Sequence, residues 1–499
     1  MSNLSELLPS GGGQNAVDFV ASGTLPNGKP VILKADGTVE AIAETATAES
    51  IPAGSAVVFN TGSTTEVKVA FDPNTANKFV VAYKDSGSSS YGTAIVGTVS
   101  GTSVSFGTEV VFNSGTTDYT SIAFDPNTAN KFVVTYKDNG NSNYGTAIVG
   151  TVSGTSVSFG TAVVFNSGTT NYTSISFDPN TSGKFVVTYS DAGGVDNYGT
   201  AIVGTVSGTT ITFGSESVFK AASTKWISAS FDPNTAGKFV VAYQDSADSE
   251  HGKALVGTMS GTSLSYGSEA TFYSGACDLI SAAFDPNTAG KLVVVYSDDG
   301  NSRNGTATVG TVSSTSVSFG TAVIFNAGTT MEISMGFDLS NSGKFAVTFN
   351  DWSNSQWGTA IVGTLSGTST SYGTKAAFTS SVAGSNSISF DPNTSGKFVV
   401  TYRDNGNSGY GTAIVGQIAA SLTNLTSTNF IGITAEAISS AATGSVNVYG
   451  GINEVQTGLT IGSDYYAQAD GTITTTSTSP AVKVGQAISA TTINMVDFT

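Results

Sequence analysis

A single cysteine and a single histidine stand in a chain of 499 residues. Cys277 has no partner in its own chain, so no internal disulfide forms and stability must come from packing. The same scarcity removes Cys/His metal sets and leaves His251 as the sole imidazole for any Ser/His/Asp arrangement. Charge is scarce too. Charged residues make up 11% of the chain, and the 19 Lys and Arg are outnumbered by 36 Asp and Glu, for a net charge of −17. Phosphate backbones need clustered Lys and Arg, so nucleic acid is excluded as a partner, and an anionic membrane surface with it. No apolar run approaches the ~20 residues that span a bilayer, so no membrane insertion is expected. The opening stretch MSNLSELLPSGGGQN lacks the basic and apolar regions of a secretory signal, which points to a protein made in a cytoplasm.

What is abundant is Gly (59 residues), Ser and Thr, over a 39% apolar background. That mixture suits short strands and tight turns. The dipeptide Phe-Asp recurs at Phe71, Phe124, Phe177, Phe231, Phe284, Phe337 and Phe390, at a spacing of 53 or 54 residues. Each unit repeats four runs, in the second copy TSIAFDP, KFVVTYKD, YGTAIVGTVSG and TSVSFGTEVVFN. Each run is rich in Val, Ile, Phe, Tyr or Thr and bounded by turn residues, so each predicts a strand. Four strands per unit of this length define the blade of a β-propeller. The last unit stops after its third strand, YGTAIVGQI, while an extra fourth-strand run, SAVVFN (residues 55–60), precedes the first complete unit. The expectation is an all-β, seven-bladed propeller over 55–418, of four-stranded blades, closed by an N-terminal strand that removes the open edges.

Variation among the copies separates the two faces. The loops after the repeat Phe (DPNTANK, DPNTSGK, DPNTAGK) and the VSGTS loops barely change, and turn chemistry accounts for them. The opposite face varies. One column there reads Glu66, Tyr119, Tyr172, Trp226, Leu279, Glu332 and Ser385, five residues before each repeat Phe. A second reads Tyr91, Tyr144, Tyr198, His251, Asn304, Trp357 and Tyr410, and Trp352 lies in one of its loops. The candidate ligand-binding residues are therefore Tyr91, Tyr119, Tyr144, Tyr172, Tyr198, Trp226, His251, Trp352, Trp357 and Tyr410, because loops on a rigid scaffold are the usual seat of recognition. His251, in DSADSEHGKALVGT, is one member of a mostly aromatic column, so it reads as loop packing or ligand contact rather than as a base.

An Asp ends every second strand. Its plain role is to cap its own turn. In DNGN and DDGN, however, Asp138, Asp298 and Asp404 have the oxygen-rich surroundings that suit Ca²⁺, and they are the candidate metal residues. No other cofactor is expected, nor any catalytic residue. A glycosidase needs two carboxylates and no histidine, so a propeller glycosidase or depolymerase stays as an alternative.

Residues 1–54 and 419–499 lie outside the repeat. They read as strands broken by Gly, and share the Asp-Gly-Thr turn of KADGTVEAI and QADGTITTT, which suits hairpins. Together they are expected to form one composite β-sandwich or barrel module into which the propeller is inserted. The segments LLPSGGGQNAVDFVASGTLPNGKPVILKADGTVE, FIGITAEAISSAATGSVNVYGG and GLTIGSDYYAQADGTITTT resemble segments of structural proteins of marine tailed bacteriophages. The FDPNT…KFVV repeats are similar to repeats in such proteins. The resemblance implies a virion appendage, either a tail or head fibre or a capsid decoration. It implies attachment to other virion proteins through the terminal module and frequent homo-oligomerisation; the aromatic and polar residues of the variable propeller face lead to the further expectation that it meets a host-surface glycan. A decorating scaffold with no receptor role is the alternative within the same class.

Overall fold

The computed structural model describes residues 15–45, 51, 54–193, 196–418, 422–469, 471–477, 480 and 482–495. Segment 1–14, which carries part of the phage resemblance, lies outside them. The chain divides into two compact units, residues 48–418 and the two ends 1–47 with 419–499.

The larger unit is a closed ring of strands. Seven strands of 15 residues, from Val57–Phe71 to Ala376–Phe390, each serve two blades. In Val110–Phe124, residues from Val110 to Asn113 lie along the third strand of one blade, and residues from Thr117 to Phe124 form the innermost strand of the next. The fourth run is thus broken: Ser103–Phe106 covers one half of the third strand and Val110–Asn113 the other. In the last blade, the positions equivalent to Ser103–Phe106 fall mostly outside the described residues. Ile51 stands eight residues before Phe59, as Val104 stands before Phe112, and is buried in the core of the last blade with Phe378, Phe398 and Ile418. Closure follows the expected route, with Val57, Val58, Asn60 and Ser63 paired to Ala413, Thr412, Gly411 and Tyr410.

Each blade is built on a fully buried second strand. Phe79, Val80, Val81 and Tyr83 have no solvent exposure, and burying a side chain of that size contributes about 1.5–3 kcal/mol. The Tyr83 hydroxyl is not stranded, because it donates to Glu109 at 2.7 Å. Gly97 of the third strand lies flat against the Phe79 ring, where a Cβ would come within 2.0 Å of it. The same ring contact recurs at Gly150, Gly204, Gly257, Gly363 and Gly416, while Gly310 lies against Leu292.

The near-invariant loops do more than turn. Asp72 Oδ1 accepts from Asn74 N–H at 2.9 Å, while the Asn74 side chain reaches the next blade and donates to the Pro126 carbonyl at 3.2 Å. Asn127, Asn180, Asn234 and Asn287 make the same reach to the following blade. Asn393 completes the circle by donating to Pro73, 320 residues away, at 3.3 Å. Nearer the axis, serine hydroxyls accept from backbone N–H groups of the adjacent inner strand. Ser228 accepts from Ala282 at 3.0 Å, and Ser387 from Val69 across the closure at 3.2 Å. Inner strand edges would otherwise present unpaired donors.

The second unit is stitched from both ends of the chain. Ala16–Val20 pairs with Thr443–Asn447 and Pro30–Leu33 with Phe430–Thr434, in a five-stranded sheet. A second five-stranded sheet comes from C-terminal residues alone. The two share one core, in which Ile32, Phe430 and Ile433 meet Tyr465, Val482, Val484 and Ile493. Both Asp-Gly-Thr segments turn hairpins: Gly37 N–H donates to Lys34 and Gly471 N–H to Gln468, each at 3.0 Å.

Closure makes a direct prediction. Phe59 is 8% exposed and packs on Tyr83 at 5.2 Å, whereas its neighbour Val58 is 37% exposed. Phe59→Ala is expected to cost about 3–5 kcal/mol in denaturant unfolding and to speed amide exchange in the paired strand Tyr410–Gln417. A cost no larger than that of Val58→Ala contradicts closure by this strand.

Candidate functional site

The two variable columns part company in three dimensions. Glu66, Tyr119, Tyr172, Trp226, Leu279, Glu332 and Ser385 all line one axial cavity of about 360 Å³. They do not sit in loops. Each lies inside a 15-residue strand, at a bulge where two residues face one on the second strand, as between Thr65 and Lys68. All seven adopt left-handed backbone, with φ between 49° and 52°. For non-glycine residues that conformation costs about 1–2 kcal/mol each. Bulges re-aim side chains, and here the same bulge in seven blades points seven side chains at the axis.

The rim is two-sided. Blades two to five supply an aromatic and apolar arc, Tyr119, Tyr172, Trp226 and Leu279. Tyr119 and Tyr172 have ring centroids 5.0 Å apart, and Tyr172 and Trp226 5.2 Å, all tilted. Lys137 Nζ lies 5.5 Å from the centroid of Tyr119. The remaining blades supply a polar arc, Glu332, Ser385 and Glu66, with Asn386 and Lys68 beside it. Glu332 accepts from Ser385 N–H at 3.0 Å. Burial, with added repulsion from Asp118 and Glu332, holds the Glu66 carboxyl above the usual range despite Lys68 and Lys84. Burial likewise pushes the Tyr119 hydroxyl to about 12, helped by Tyr172 and Glu66.

Of the sequence candidates, Tyr119, Tyr172 and Trp226 meet in this pit. Tyr91, Tyr144, Tyr198, His251, Trp357 and Tyr410 do not. Each opens a third strand, opposite the Asp that ends the second strand, and so stands two strands out from the axis. Trp352 is half exposed in the short turn of helix Trp352–Asn354. His251 Nδ1 lies 3.4 Å from Asp248, which also pairs with Lys253 at 2.8 Å. Lys220 pairs with Asp245 at 2.5 Å and with Glu269 at 3.0 Å. His251 thus borders a network in which lysines pair with the carboxylates.

Two of the candidate metal carboxylates, Asp138 and Asp404, cap their turns, and the third does not. Asp138 accepts from Gly140 N–H at 3.0 Å and from Asn113 at 3.2 Å, and Asp404 accepts from Gly406 N–H at 3.0 Å. Asp298 accepts from the Tyr273 hydroxyl. Among the described residues, no three His, Cys, Asp or Glu side chains gather as a metal site.

Glu66, Leu279, Glu332 and Ser385 belong to the pit although they were not among the candidates. Their signal was in the sequence, because they occupy the column of Tyr119 and Trp226.

No family model matches the chain, and no curated protein matches it. Among solved structures, it is similar to the BP39L lectin of Burkholderia pseudomallei, at 7% identity and a TM-score of 0.56, over 74% of this chain and 99% of that one. It is also similar to Chaetomium thermophilum Sqt1 bound to the N-terminus of ribosomal protein L10, at 12% identity and a TM-score of 0.46, over 74% and 100%. The chain is an all-β propeller protein, and the likeness to the lectin bears out that fold.

The left-handed ring can be tested by sign. Ser385→Gly removes backbone strain and is expected to be neutral or stabilising by up to about 1 kcal/mol. Ser389→Gly, in extended backbone of the same strand, loses the hydrogen bond to Phe71 N–H and is expected to destabilise. Equal losses at both positions, by chemical denaturation, contradict the strain. Charge gives a second test. Glu66 holds its proton more tightly folded than unfolded, so its ionised form opposes folding once pH exceeds the folded range. Glu66→Gln is expected to raise the unfolding midpoint at pH 7, with the gain vanishing below about pH 4. A lowered midpoint at pH 7 is the contrary result.

Proposed function

We propose that this protein is a non-enzymatic recognition module whose axial pit binds a sugar of a host surface. The observation that carries the reading is the ring of seven left-handed residues, conserved in backbone across all blades yet different in side chain. A scaffold that repeats a strained backbone while varying what it presents has the logic of a binding site. The content of the rim supports the ligand class. Tilted aromatic faces suit the C–H surface of a sugar ring, and the facing Glu332, Ser385 and Asn386 supply groups for its hydroxyls. The volume falls within the range of small-ligand pockets. The resemblance of the terminal segments to phage structural proteins supports a virion setting, with the two-ended β module joining other virion proteins.

The two carboxylates of the pit favour one other reading, a propeller glycosidase in which Glu66, whose proton affinity burial raises, acts as the acid and Glu332 as its partner. Release of reducing ends from host polysaccharide decides between them. A binder releases none, while turnover abolished by Glu332→Gln establishes the enzyme.

The binding reading is tested with the full chain on a glycan array and on host cells. Saturable binding is expected, weakened about tenfold or more in Trp226→Ala and Tyr172→Ala and unchanged in Trp352→Ala. Sensitivity to Trp352 with indifference to Trp226 moves recognition off the axis. Absence of binding to any host surface leaves a decorating scaffold as the account of the fold.

A further inference from the structure

The pit's charge selects among sugars. Two carboxylates, Glu66 and Glu332, flank Ser385 on the polar arc, and one lysine, Lys68, lines the same cavity. Two lysines next to the column are engaged by other side chains. Lys84 pairs with Asp118 at 2.7 Å. Lys137 donates to Asn171 at 3.2 Å while lying on Tyr119. Among the residues lining the cavity, two carboxylates thus outnumber one lysine and share that space with three aromatic rings. Carboxylates opposite aromatic faces form the surroundings in which a cation is held from both sides, by ion pairing and by the ring quadrupoles. A neutral sugar would leave that charge uncompensated in a half-buried site.

We propose that the pit recognises a sugar bearing a free, protonated amino group. Its ring lies on the Tyr119–Tyr172–Trp226 arc, and its ammonium sits between Glu66 and Glu332. This rests on the sugar reading above and narrows it to unacetylated amino sugars, for which the chain's net charge of −17 is also the favourable sign. The raised proton affinity of Glu66 agrees with the site. Burial already strains its charge, and an arriving ammonium would relieve that strain.

The test uses the full chain at low ionic strength, titrated with four probes at a pH where amines are protonated. They are a glucosamine oligomer, its N-acetylated counterpart, a glucose oligomer of equal length, and tetramethylammonium. The glucosamine oligomer is expected to bind about tenfold more tightly than either neutral oligomer. The double variant E66Q/E332Q is expected to lose that preference, binding amino and neutral oligomers alike, with native unfolding behaviour confirming that it folds. Equal affinity for amino and neutral oligomers overturns the amine inference and leaves the sugar reading standing. Tetramethylammonium binding as tightly as the amino sugar overturns the sugar reading itself. Failure of all four probes on the native chain overturns both.

Discussion

The geometry of the axial face depends on the ring being closed. Seven inner strands converge on one axis because each is tied to its neighbour. Asparagine side chains tie them on one face, and serine hydroxyls tie them along the inner edges. The last seam is held by the Asn393–Pro73 and Ser387–Val69 hydrogen bonds and by the strand at Val57–Ser63. Each bond is worth only about 1 kcal/mol. Their force is geometric, since a ring permits no blade to shift without opening its neighbours. That constraint lets each blade hold a residue such as Trp226 or Leu279 in left-handed backbone, a conformation that an isolated hairpin would relax.

Strain and the proposed recognition meet at the bulge. In each inner strand two residues face one on the second strand. The first is turned toward the axis, and the second, such as Val67 or Ile227, is buried beneath it. The buried residue fixes the exposed one. A rim of this kind tolerates Glu, Tyr, Trp, Leu or Ser in the same place, because the backbone shape is set by the ring rather than by the side chain. Such tolerance is what a binding surface needs in order to change ligand without changing fold.

Much of this was legible in the sequence, and what was not has physical causes. Period, blade count, the strand left over at one end and the split between constant and variable faces all follow from a repeat read against itself. Distance from the axis does not. Trp226 and Trp357 both belong to variable columns, but one sits at the bulge of an inner strand and the other starts a third strand, so one enters the pit and the other stands outside it. The DPN loops showed turn chemistry through Asp72 and its equivalents. The reach of Asn74 to the next blade is a contact across about one repeat length, which spacing alone cannot reveal. The third-strand glycines owe their constancy to rings such as Phe79, a contact that appears only once the strands are paired. At the two chain ends, the Asp-Gly-Thr hairpins were readable because the turn is local. The pairing of Ala16–Val20 with Thr443–Asn447 was expected in kind, through the proximity that closure enforces, though not in register.

The central claim is that ligand enters the axial pit, and the chain's three tryptophans can report on it directly. Trp226 lines the pit, while Trp352 and Trp357 lie away from it. The deciding measurement is fluorescence of the full chain carrying Trp352→Phe and Trp357→Phe, titrated with the sugar selected on the array. The account predicts a saturable change in Trp226 emission, with the same midpoint as binding measured by calorimetry. Saturating binding with unaltered Trp226 emission, alongside a response in a chain that retains Trp357 alone, would contradict it.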